Sequence, residues 1–477
     1  MPPENSKHTT PAAPEAQAAA AIDYSEDIGP DTGTVEGRRE IRKATAASAM
    51  GNATEWFDYG VYAVAVTYIT AHFFPAEGGT AMALATFAIS FLVRPLGGLV
   101  WGPLGDKLGR KTILAATILL MSGATFLIGV LPTFEAIGIW APILLVLLRM
   151  LQGFSTGGEY GGAATFMAEY SPDRKRGFFG SFLEFGTLGG FALGTAVMLV
   201  LQVALSDEAM MEYGWRIPFL LALPMGLIGL YLRSKLEDTP VFQELEERGE
   251  VEQGGSLKAL VAEYWRPMLV MAGLVIALNV VNYTLISYMP TYLEQQLGLE
   301  AQSTLAVILV GEVAMMAVIP FAGGLSDKIG RKPMWYISLI GLLVMSLPMF
   351  WLMGQSFLLA MLGFAVLGLL YIPQLATITA TFPAMFPSHV RFAGFAITYN
   401  LATAVFGGTA AYVNEAAIGA TGNLLFPAMY MMGACVIGLV AVKFMPETAG
   451  ASLRGTEIPD AAETGILADD AGAAPVR

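Results

Sequence analysis

Long apolar stretches alternate with short polar ones along most of the chain. One of them is LAATILLMSGATFLIGVL, residues 114–131, and another contains GACVIGLVAV, residues 433–442. A helix needs about 20 apolar residues to cross the hydrocarbon core of a bilayer, so stretches of this kind predict transmembrane helices. The pattern predicts twelve helical spans, at residues 44–73, 80–104, 112–131, 139–168, 177–204, 214–234, 266–294, 302–325, 333–353, 356–383, 392–415 and 424–445.

The composition supports a membrane protein. Of the 477 residues, 55% are hydrophobic and 14% are charged, and the mean hydropathy is +0.59. A soluble domain usually carries roughly 25% charged residues. We therefore expect an all-α integral membrane protein of the cell membrane, with the lipid bilayer as its surroundings.

The positive charges predict the orientation. With both termini in the cytoplasm, 23 of the 26 Lys and Arg residues lie in cytoplasmic segments or at their edges, all except Arg94, Arg149 and Arg216. The segments 1–43, 235–265 and 446–477 hold 22 of the 39 acidic residues, so the net charge of −13 comes mainly from two tails and a linker. Nucleic acid is not an expected partner. The first of these segments is Pro/Ala-rich and acidic, and is expected to be a disordered cytoplasmic tail.

An internal repeat divides the chain into two halves. GPLGDKLGRK, residues 102–111, and GGLSDKIGRK, residues 323–332, share the pattern G-x-x-x-D-x-x-G-R-K at an offset of 323 − 102 = 221 residues. A weaker echo relates Pro172 and Arg176 to Pro387 and Arg391. We expect six-helix halves at 44–234 and 266–445, joined by the 235–265 linker.

The first span contains two carboxylates in GNATEWFDYGVYA, residues 51–63. A charge at the bilayer centre costs about 3 kcal/mol on insertion scales, so intramembrane acids usually have a function. Glu55 and Asp58 share a helical stripe with Asn52, Tyr59 and Tyr62. The stripe is expected to face a central cavity, where at least one acid binds the transported proton or the cationic end of a substrate. The alternative is a structural ion pair with an Arg.

Arg94 and Arg149 are the intramembrane cations that match these acids. A buried Arg can bind a substrate carboxylate or change the proton affinity of a neighbour. Its alternative role is again a structural ion pair.

Several aromatic and amide side chains are further candidates for substrate contacts, because aromatic rings bind quaternary ammonium groups and buried amides need partners. They are Tyr59, Tyr62, Tyr283, Tyr288, Asn279 and Asn282.

These motifs resemble the major facilitator superfamily over all twelve spans. The loop G-x-x-x-D-x-x-G-R-K is typical of the superfamily, and FLVRPLGG, LRMLQGFSTGGEYGGA, EYSPDRKRG and SYMPTYL are similar to metabolite:proton symporters. Among those, the chain resembles proline/glycine-betaine transporters.

The resemblance implies the major facilitator fold and roles for particular residues. Arg149 and Glu159 belong to the motif R-x-x-Q-G-x-x-x-G-G-E, which is associated with proton coupling. A charge lock on the inner side would hold the halves together without binding substrate. Its expected members are Asp106, Arg110, Asp327, Arg331, Glu169, Arg176 and Arg391.

Other functional classes lack their sequence signals. The chain has no Gly-Lys dipeptide, so it has no phosphate-binding loop of the kind that ATP-driven pumps use. It has no H-E-x-x-H motif, and it contains three His residues and a single cysteine, Cys435. This composition argues against an enzyme, a metal site or a disulfide framework. We expect no cofactor, with the proton gradient as the energy source. A receptor or channel on the same scaffold stays an alternative.

The expected function is symport of protons with a small zwitterionic compatible solute such as proline, glycine betaine or ectoine. The alternative is a symporter of a di- or tricarboxylate such as 2-oxoglutarate or citrate. A multiply anionic substrate needs several cations in the cavity, whereas the sequence offers Arg94 and Arg149, with Arg216 as an alternative, against Glu55, Asp58 and nearby aromatic residues. This balance favours the zwitterion. The oligomeric state is open.

Overall fold

The computed structural model describes residues 33–108, 110–157, 159–233, 257–388 and 390–453. The side chains of Asp106, Arg110 and Glu159 are not described, so the predictions for these three residues lie outside the structure. The same holds for most of the two tails and most of the 235–265 linker.

Twelve long helical segments follow one another along the described chain, with short helices at Phe134–Ile137 and Asp207–Glu212 between them, and no strand occurs within it. They are α1 (Val35–Val64, then Val66–Phe73), α2 (Gly79–Leu108), α3 (Arg110–Val130), α4 (Trp140–Thr156, then Glu159–Tyr170), α5 (Arg176–Ala204), α6 (Ile217–Arg233), α7 (Leu257–Asn282, then Tyr283–Tyr288, Met289–Thr291 and Tyr292–Gln296), α8 (Ala301–Ile329), α9 (Arg331–Met353), α10 (Phe357–Leu375, then Ile378–Thr381), α11 (Arg391–Phe406, then Thr409–Thr421) and α12 (Phe426–Phe444).

The twelve predicted spans coincide with these segments, except that two helices begin earlier than predicted. α7 begins at Leu257, nine residues before the predicted limit of 266. α1 begins at Val35, nine residues before the predicted limit of 44. Thr34 caps it by accepting a hydrogen bond of 3.1 Å from the backbone N–H of Gly37, and the Arg and Glu residues that follow are good helix formers. The charged residues end the membrane-crossing part of α1, but they do not end the helix.

Among the described helices, nine are long and apolar enough to cross a membrane by length and composition. α1, α3 and α11 fall short of that criterion. α1 contains the carboxylates of the first span, the apolar part of α3 is Ala115–Val130, and α11 is interrupted at Gly407 and Gly408. These three helices still pack into the same bundle as the others.

Glycines allow the helices to approach closely. A Cβ at Gly190 of α5 would lie 2.5 Å from the carbonyl oxygen of Ala53 in α1, and one at Gly153 of α4 would overlap the carbonyl of Ser90 in α2. Small residues at such contacts allow the van der Waals packing that holds transmembrane helices together. This packing fixes the positions of α1, α2, α4 and α5, which carry most of the intramembrane charges.

The two halves meet along α5 and α8 and along α2 and α11. One face of the bundle carries both ends of the described chain and is called the terminal face here; the other is the distal face.

α7 contains π-helical turns at Tyr283–Tyr288 and Tyr292–Gln296. Such turns are rare and often occur at functional sites.

Candidate functional site

A narrow central cavity lies between the halves. α1, α4 and α5 line one side of it, and α7 and α10 with the adjoining part of α11 line the other. Its residues are mostly aromatic or amide side chains: Trp56, Tyr160, Glu184, Thr187, Leu278, Asn279, Asn282, Tyr283, Tyr371, Leu375, Ile378 and Tyr399. A mixture of aromatic walls and a few polar groups is typical of small-molecule sites.

Arg94 of α2 is buried beside this cavity. Its guanidinium carbon lies 4.3 Å from the ring centroid of Phe91, 4.9 Å from that of Tyr59 and 5.7 Å from that of Trp56. The side chain is 1% exposed, and its Nε and one terminal nitrogen have no hydrogen-bond partner. Buried donors without partners are rare, and unpaired guanidinium N–H groups suit a carboxylate ligand.

Glu184 of α5 is the carboxylate in the cavity wall. The hydroxyl of Tyr160 donates a hydrogen bond of 2.5 Å to it, and the ring of Tyr160 stacks on Tyr399 of the other half at 4.7 Å between centroids. Tyr283 interacts electrostatically with both Arg94 and Glu184, so the cation and the anion flank one tyrosine. The cavity therefore has an anion in its wall and a cation buried next to it.

Two amides of α7 complete the wall. Asn282 accepts a hydrogen bond of 3.0 Å from the hydroxyl of Tyr371, and the amide nitrogen of Asn279 donates to Thr403 at 2.8 Å. The ring of Tyr283 lies 5.0 Å from Phe91 of the other half. These contacts position the α7 residues against the N-terminal half.

A second charged cluster lies inside the N-terminal half. Arg149 donates to Gln152 at 2.7 Å and to the hydroxyl of Ser90 at 3.0 Å, and its guanidinium carbon lies 4.3 Å from the ring centroid of Tyr62. Asp58 interacts with Arg149 and with the hydroxyl of Thr125, and one oxygen of its carboxylate has no partner. This cluster can hold a proton next to a permanent cation.

Glu55 connects the two clusters. It interacts electrostatically with Arg94 and with Asp58. Arg149 in turn interacts with Arg94. The charges of α1, α2 and α4 therefore form one continuous group, so a change of protonation at one acid alters the field at Arg94.

The predicted polar stripe on α1 does not face the cavity as a unit, so that expectation needs correction. Asn52 donates to the carbonyl oxygen of Leu183 at 2.8 Å and to Thr187 at 2.6 Å, whereas the hydroxyl of Tyr62 donates to the carbonyl oxygen of Ala83 at 2.9 Å. α1 is surrounded by neighbouring helices, so polar groups on several of its sides find partners. Trp56, which the stripe left out, lines the cavity.

Tyr288 lies away from the cavity lining. Its hydroxyl donates a hydrogen bond of 2.8 Å to Glu415 of α11, and the amide of Gln296 donates to the same carboxylate at 3.1 Å. These residues belong to the part of α7 nearer the distal face. Tyr288 and Tyr283 were predicted together because both fall in the same span. They are about one helical turn apart, and their side chains contact different residues.

Ion pairs and hydrogen bonds join the halves at the terminal face. Asp327 pairs with Arg331 at 2.7 Å and accepts hydrogen bonds from the backbone N–H groups of Gly177 at 2.7 Å and Phe178 at 2.9 Å. Gly177 and Phe178 begin α5, and a carboxylate is favourable at a helix N-terminus. Asp327 therefore fastens the C-terminal half to the N-terminal half.

A second link at this face involves Glu169 and Arg391. Their side chains form an ion pair of 3.1 Å between α4 and α11. Arg391 also donates to the carbonyl oxygen of Leu453 at 2.7 Å, and Arg176, which pairs with Asp173, donates to that of Ala451 at 2.9 Å. The chain after α12 thus contacts both halves.

Glu447 at the end of α12 also joins this network. Its carboxylate accepts from the backbone N–H groups of Arg331 at 2.8 Å and Lys332 at 2.9 Å, at the start of α9. Glu447 was not predicted as a site residue, because residues 446–477 were expected to form a tail. A carboxylate directly after a span is a weak signal by itself.

Polar contacts join the halves at the distal face too. The hydroxyl of Thr67 donates to Glu294 at 2.9 Å and that of Thr80 to Gln295 at 2.8 Å. Gln302 of α8 donates to the carbonyl oxygen of Gln202 in α5 at 3.0 Å. Contacts at both faces enclose the central cavity, so the structure corresponds to a closed arrangement of the two halves.

Several cavity residues were not predicted as site residues. They include Trp56, Tyr160, Glu184, Tyr371 and Tyr399. Glu184 was visible in the sequence as an intramembrane acid, but the face of α5 that meets the cavity depends on packing against α1. Among the described residues, no group of three or more His, Cys, Asp or Glu side chains could hold a metal ion.

Residues 49–412 match the family model of the Major Facilitator Superfamily. The protein belongs to this superfamily, as the sequence motifs predicted. It is therefore a multi-pass membrane protein of a transporter class, and the twelve-helix fold is the one expected for it.

The similar proteins narrow the class. The "Glycine betaine/proline/ectoine/pipecolic acid transporter OusA" of Dickeya dadantii (strain 3937) is 44% identical over 443 residues, which cover 90% of this chain and 88% of that protein. The "Proline/betaine transporter" of Escherichia coli (strain K12) is 44% identical over 437 residues, which cover 87% of this chain and 85% of that protein. These matches confirm the predicted resemblance to proline/glycine-betaine transporters.

Solved structures share the fold. The proton:xylose symporter XylE bound to 6-bromo-6-deoxy-D-glucose has a TM-score of 0.69 at 18% identity, over 87% of this chain and 98% of that one. A partially occluded inward open form of XylE from E. coli has a TM-score of 0.64 at 18% identity, over 87% of this chain and 99% of that one. At this identity the likeness concerns the fold alone.

Proposed function

We propose that the protein imports small zwitterionic compatible solutes, such as proline, glycine betaine and ectoine, together with protons. The names of the relatives that share 44% of the residues over most of the chain support this class of solute. No cofactor takes part, and the proton gradient drives the transport.

The observation that carries the proposal is the pair of opposite charges at one cavity, with Glu184 in its wall and Arg94 buried beside it. The carboxylate of a zwitterion binds the unpartnered N–H groups of Arg94, where charge-assisted hydrogen bonds are strong. Its cationic end lies toward Glu184 and the rings of Trp56, Tyr160 and Tyr399. Aromatic faces attract cationic groups by about 0.5–2 kcal/mol each, which suits the quaternary ammonium of betaine, while the secondary ammonium of proline can also donate hydrogen bonds to Glu184.

The same arrangement disfavours a di- or tricarboxylate. A second substrate carboxylate would approach Glu184, and like charges in a cavity of low dielectric repel each other strongly. Arg149 could compensate only by leaving Gln152 and Ser90, to which its terminal nitrogens donate. We therefore assign Arg149 to the charged cluster of the N-terminal half.

The proton-binding role falls to Asp58 and Glu55, beside Arg149. Asp58 is 3% exposed and one of its oxygens has no partner. Because Glu55 interacts with both Asp58 and Arg94, protonation of this pair changes the electrostatic field where the substrate carboxylate binds. Glu159 stays a sequence prediction for the same role.

The two six-helix halves rock against each other to expose the cavity alternately to the two faces. The terminal face is the cytoplasmic one, because nearly all Lys and Arg residues lie on that side. The protein lies in the cytoplasmic membrane, surrounded by lipid. Its inner gate contains the links formed by Asp327, Arg331, Glu169, Arg176 and Arg391, and we extend this role to Asp106 and Arg110 by the repeat.

Uptake into liposomes that contain the purified protein tests the proposal. With an acidic outer solution and no sodium, labelled glycine betaine and proline should accumulate, and a protonophore should abolish the accumulation. Unlabelled ectoine should compete, whereas citrate and 2-oxoglutarate should not. Accumulation that follows a sodium gradient would overturn the proton coupling, and uptake of citrate would favour the carboxylate alternative.

A further inference from the structure

Glu312 is a buried carboxylate in the seam between α5 and α8, and it belongs to neither charged cluster described above. It is 1% exposed, and one of its oxygens has no hydrogen-bond partner. The hydroxyl of Thr195 in α5 interacts with it from the other half. Among the described residues of α5, α7, α9 and α10, which pack against α8, no charged or titratable side chain interacts with it.

The seam changes in character along its length. Near the terminal face it consists of small residues, where Gly177 of α5 and Gly323 of α8 approach so closely that a Cβ on either would overlap the other's carbonyl. Glu312 lies 11 residues after Ala301, about 16 Å from the distal start of α8 at 1.5 Å per residue. Gln202 and Gln302 join the two helices between Glu312 and the distal face.

This position makes the protonation of Glu312 depend on the state of the seam. In the closed seam, an ionised carboxylate would be buried without a cation and with an unsatisfied oxygen, which is costly, so the neutral acid is favoured. When the distal ends of α5 and α8 separate, water reaches the carboxylate and the ionised form becomes favourable. The closed seam therefore binds the proton more tightly than the open one.

We propose that Glu312 is a proton-operated latch of the distal gate, so that α5 and α8 close on the outer side when this carboxylate has bound a proton from the outer solution. The proton adds to a carboxylate oxygen when the gate is open and leaves to the same solution when the gate reopens. No electrons move, and no other reactant is needed.

The direction of the pH effect follows from linkage. Because the closed gate binds the proton more tightly, closure is favoured at low pH and is lost as the pH rises. For full coupling to one proton, the ratio of closed to open gates falls about tenfold per pH unit over the titrating range. This proposal uses the orientation given under the proposed function, but it requires neither a particular solute nor a driving proton gradient.

Distance measurements across the seam test the latch directly. Cys435 is the single cysteine of the chain, so Cys435→Ser gives a background in which spin labels can be placed on Val203→Cys of α5 and Ser303→Cys of α8. In purified protein without solute, raising the pH should increase the population with a long distance between these labels. In Glu312→Gln, which is neutral at every pH, the short distance should persist.

Two other acids near the distal face serve as matched controls. Glu294→Gln removes the carboxylate that accepts from Thr67, and Glu300→Gln removes an exposed one at the start of α8. The pH response should survive in both. A response in Glu312→Gln equal to that of the parent, or its loss in Glu294→Gln, would overturn the proposal.

The outcome is separable from the proposed function. Because the experiment contains no solute and no gradient, a transporter with another substrate or coupling ion would still give the expected distances. A liposome assay that fails while the latch responds would count against the proposed function alone. Correct folding of Glu312→Gln is checked by circular dichroism and by elution as a single species in detergent, both of which should match the parent, because the variant keeps the shape of the side chain.

Discussion

Glu169 on α4 and Arg391 at the start of α11 form an ion pair of 3.1 Å that joins the two halves at the terminal face. Arg391 is 1% exposed and donates further to the carbonyl oxygens of Pro383 and Leu453. Buried pairs of this kind are costly to break by removing one partner, because the other charge is left unpaired. The pair therefore favours the arrangement in which the terminal face is closed.

Removing the carboxylate should weaken this gate. In Glu169→Gln the halves should open more readily at the terminal face, so net uptake should fall severalfold while equilibrium binding of solute changes by about threefold or less. Labelling of a cysteine placed in the central cavity, from the terminal side in inverted vesicles, should become faster. The reversed pair, Glu169→Arg with Arg391→Glu, should recover part of the uptake. Loss of equilibrium binding in a folded Glu169→Gln protein would contradict the gating role.

Asp327 permits a second test of the same gate. Asp327→Asn keeps the shape of the side chain but weakens its ion pair with Arg331 and its hydrogen bonds to the start of α5. We expect slower uptake with solute affinity within a few fold of the parent, because a gate changes the fraction of competent molecules. Lys328→Gln, which removes an exposed charge on the same helix turn, is the control. Equal uptake in Asp327→Asn and in the parent would remove Asp327 from the gate.

Nine of the twelve helices could be predicted from the sequence by apolar length alone, because that length indicates where a bilayer is crossed; α1, α3 and α11 fall short of it and were predicted from shorter apolar stretches. The pair of Asp327 and Arg331 at the terminal face could be located, since the repeated motif marks it; the side chains of the corresponding pair in the first half lie outside the described residues. The hydrogen-bond and ion-pair partners of the intramembrane side chains could not be predicted, because they depend on which side of each helix packs against its neighbours. Asn52 and Tyr62 share a stripe on α1, yet they bond to α5 and α2. Glu184 faces the cavity because α1 and α5 pack closely at Gly190. No local sequence pattern indicates this contact.

Arg94 should determine the affinity for the substrate carboxylate. Arg94→Gln removes the cation and most of the donors, and hydrogen bonds to a charged group contribute about 1.5–3 kcal/mol, so binding of glycine betaine should weaken about 100-fold. Isothermal titration on the purified protein measures this change. Arg216→Gln is a suitable control, because Arg216 lies near the distal face and donates to the carbonyl oxygens of Gly129 and Leu131. Unchanged affinity in Arg94→Gln would place the carboxylate elsewhere.

Glu184 should select the cationic end of the substrate. In Glu184→Gln we expect zwitterion affinity to fall about tenfold or more, with a smaller loss for betaine than for proline, because aromatic rings contribute more to a quaternary ammonium than to a secondary one that can donate hydrogen bonds. Competition between the two labelled solutes measures the ratio. Tyr160→Phe keeps the carboxylate and removes its hydrogen-bond donor, so it should change both affinities alike. An equal loss for both solutes in Glu184→Gln would show that the carboxylate does not distinguish them.

Asp58 should carry the driving proton. Asp58→Asn keeps the size of the side chain and removes its titration, so proton-driven accumulation should be abolished while exchange of labelled for unlabelled solute across the membrane continues. The reason is that exchange needs the halves to move with solute bound, but it does not need the proton to leave. Asp207→Asn is the matched control, since it makes the same change at an exposed carboxylate near the distal face. Accumulation at the parent level in both Asp58→Asn and Glu55→Gln, at equal abundance in the membrane, would assign these acids a structural role.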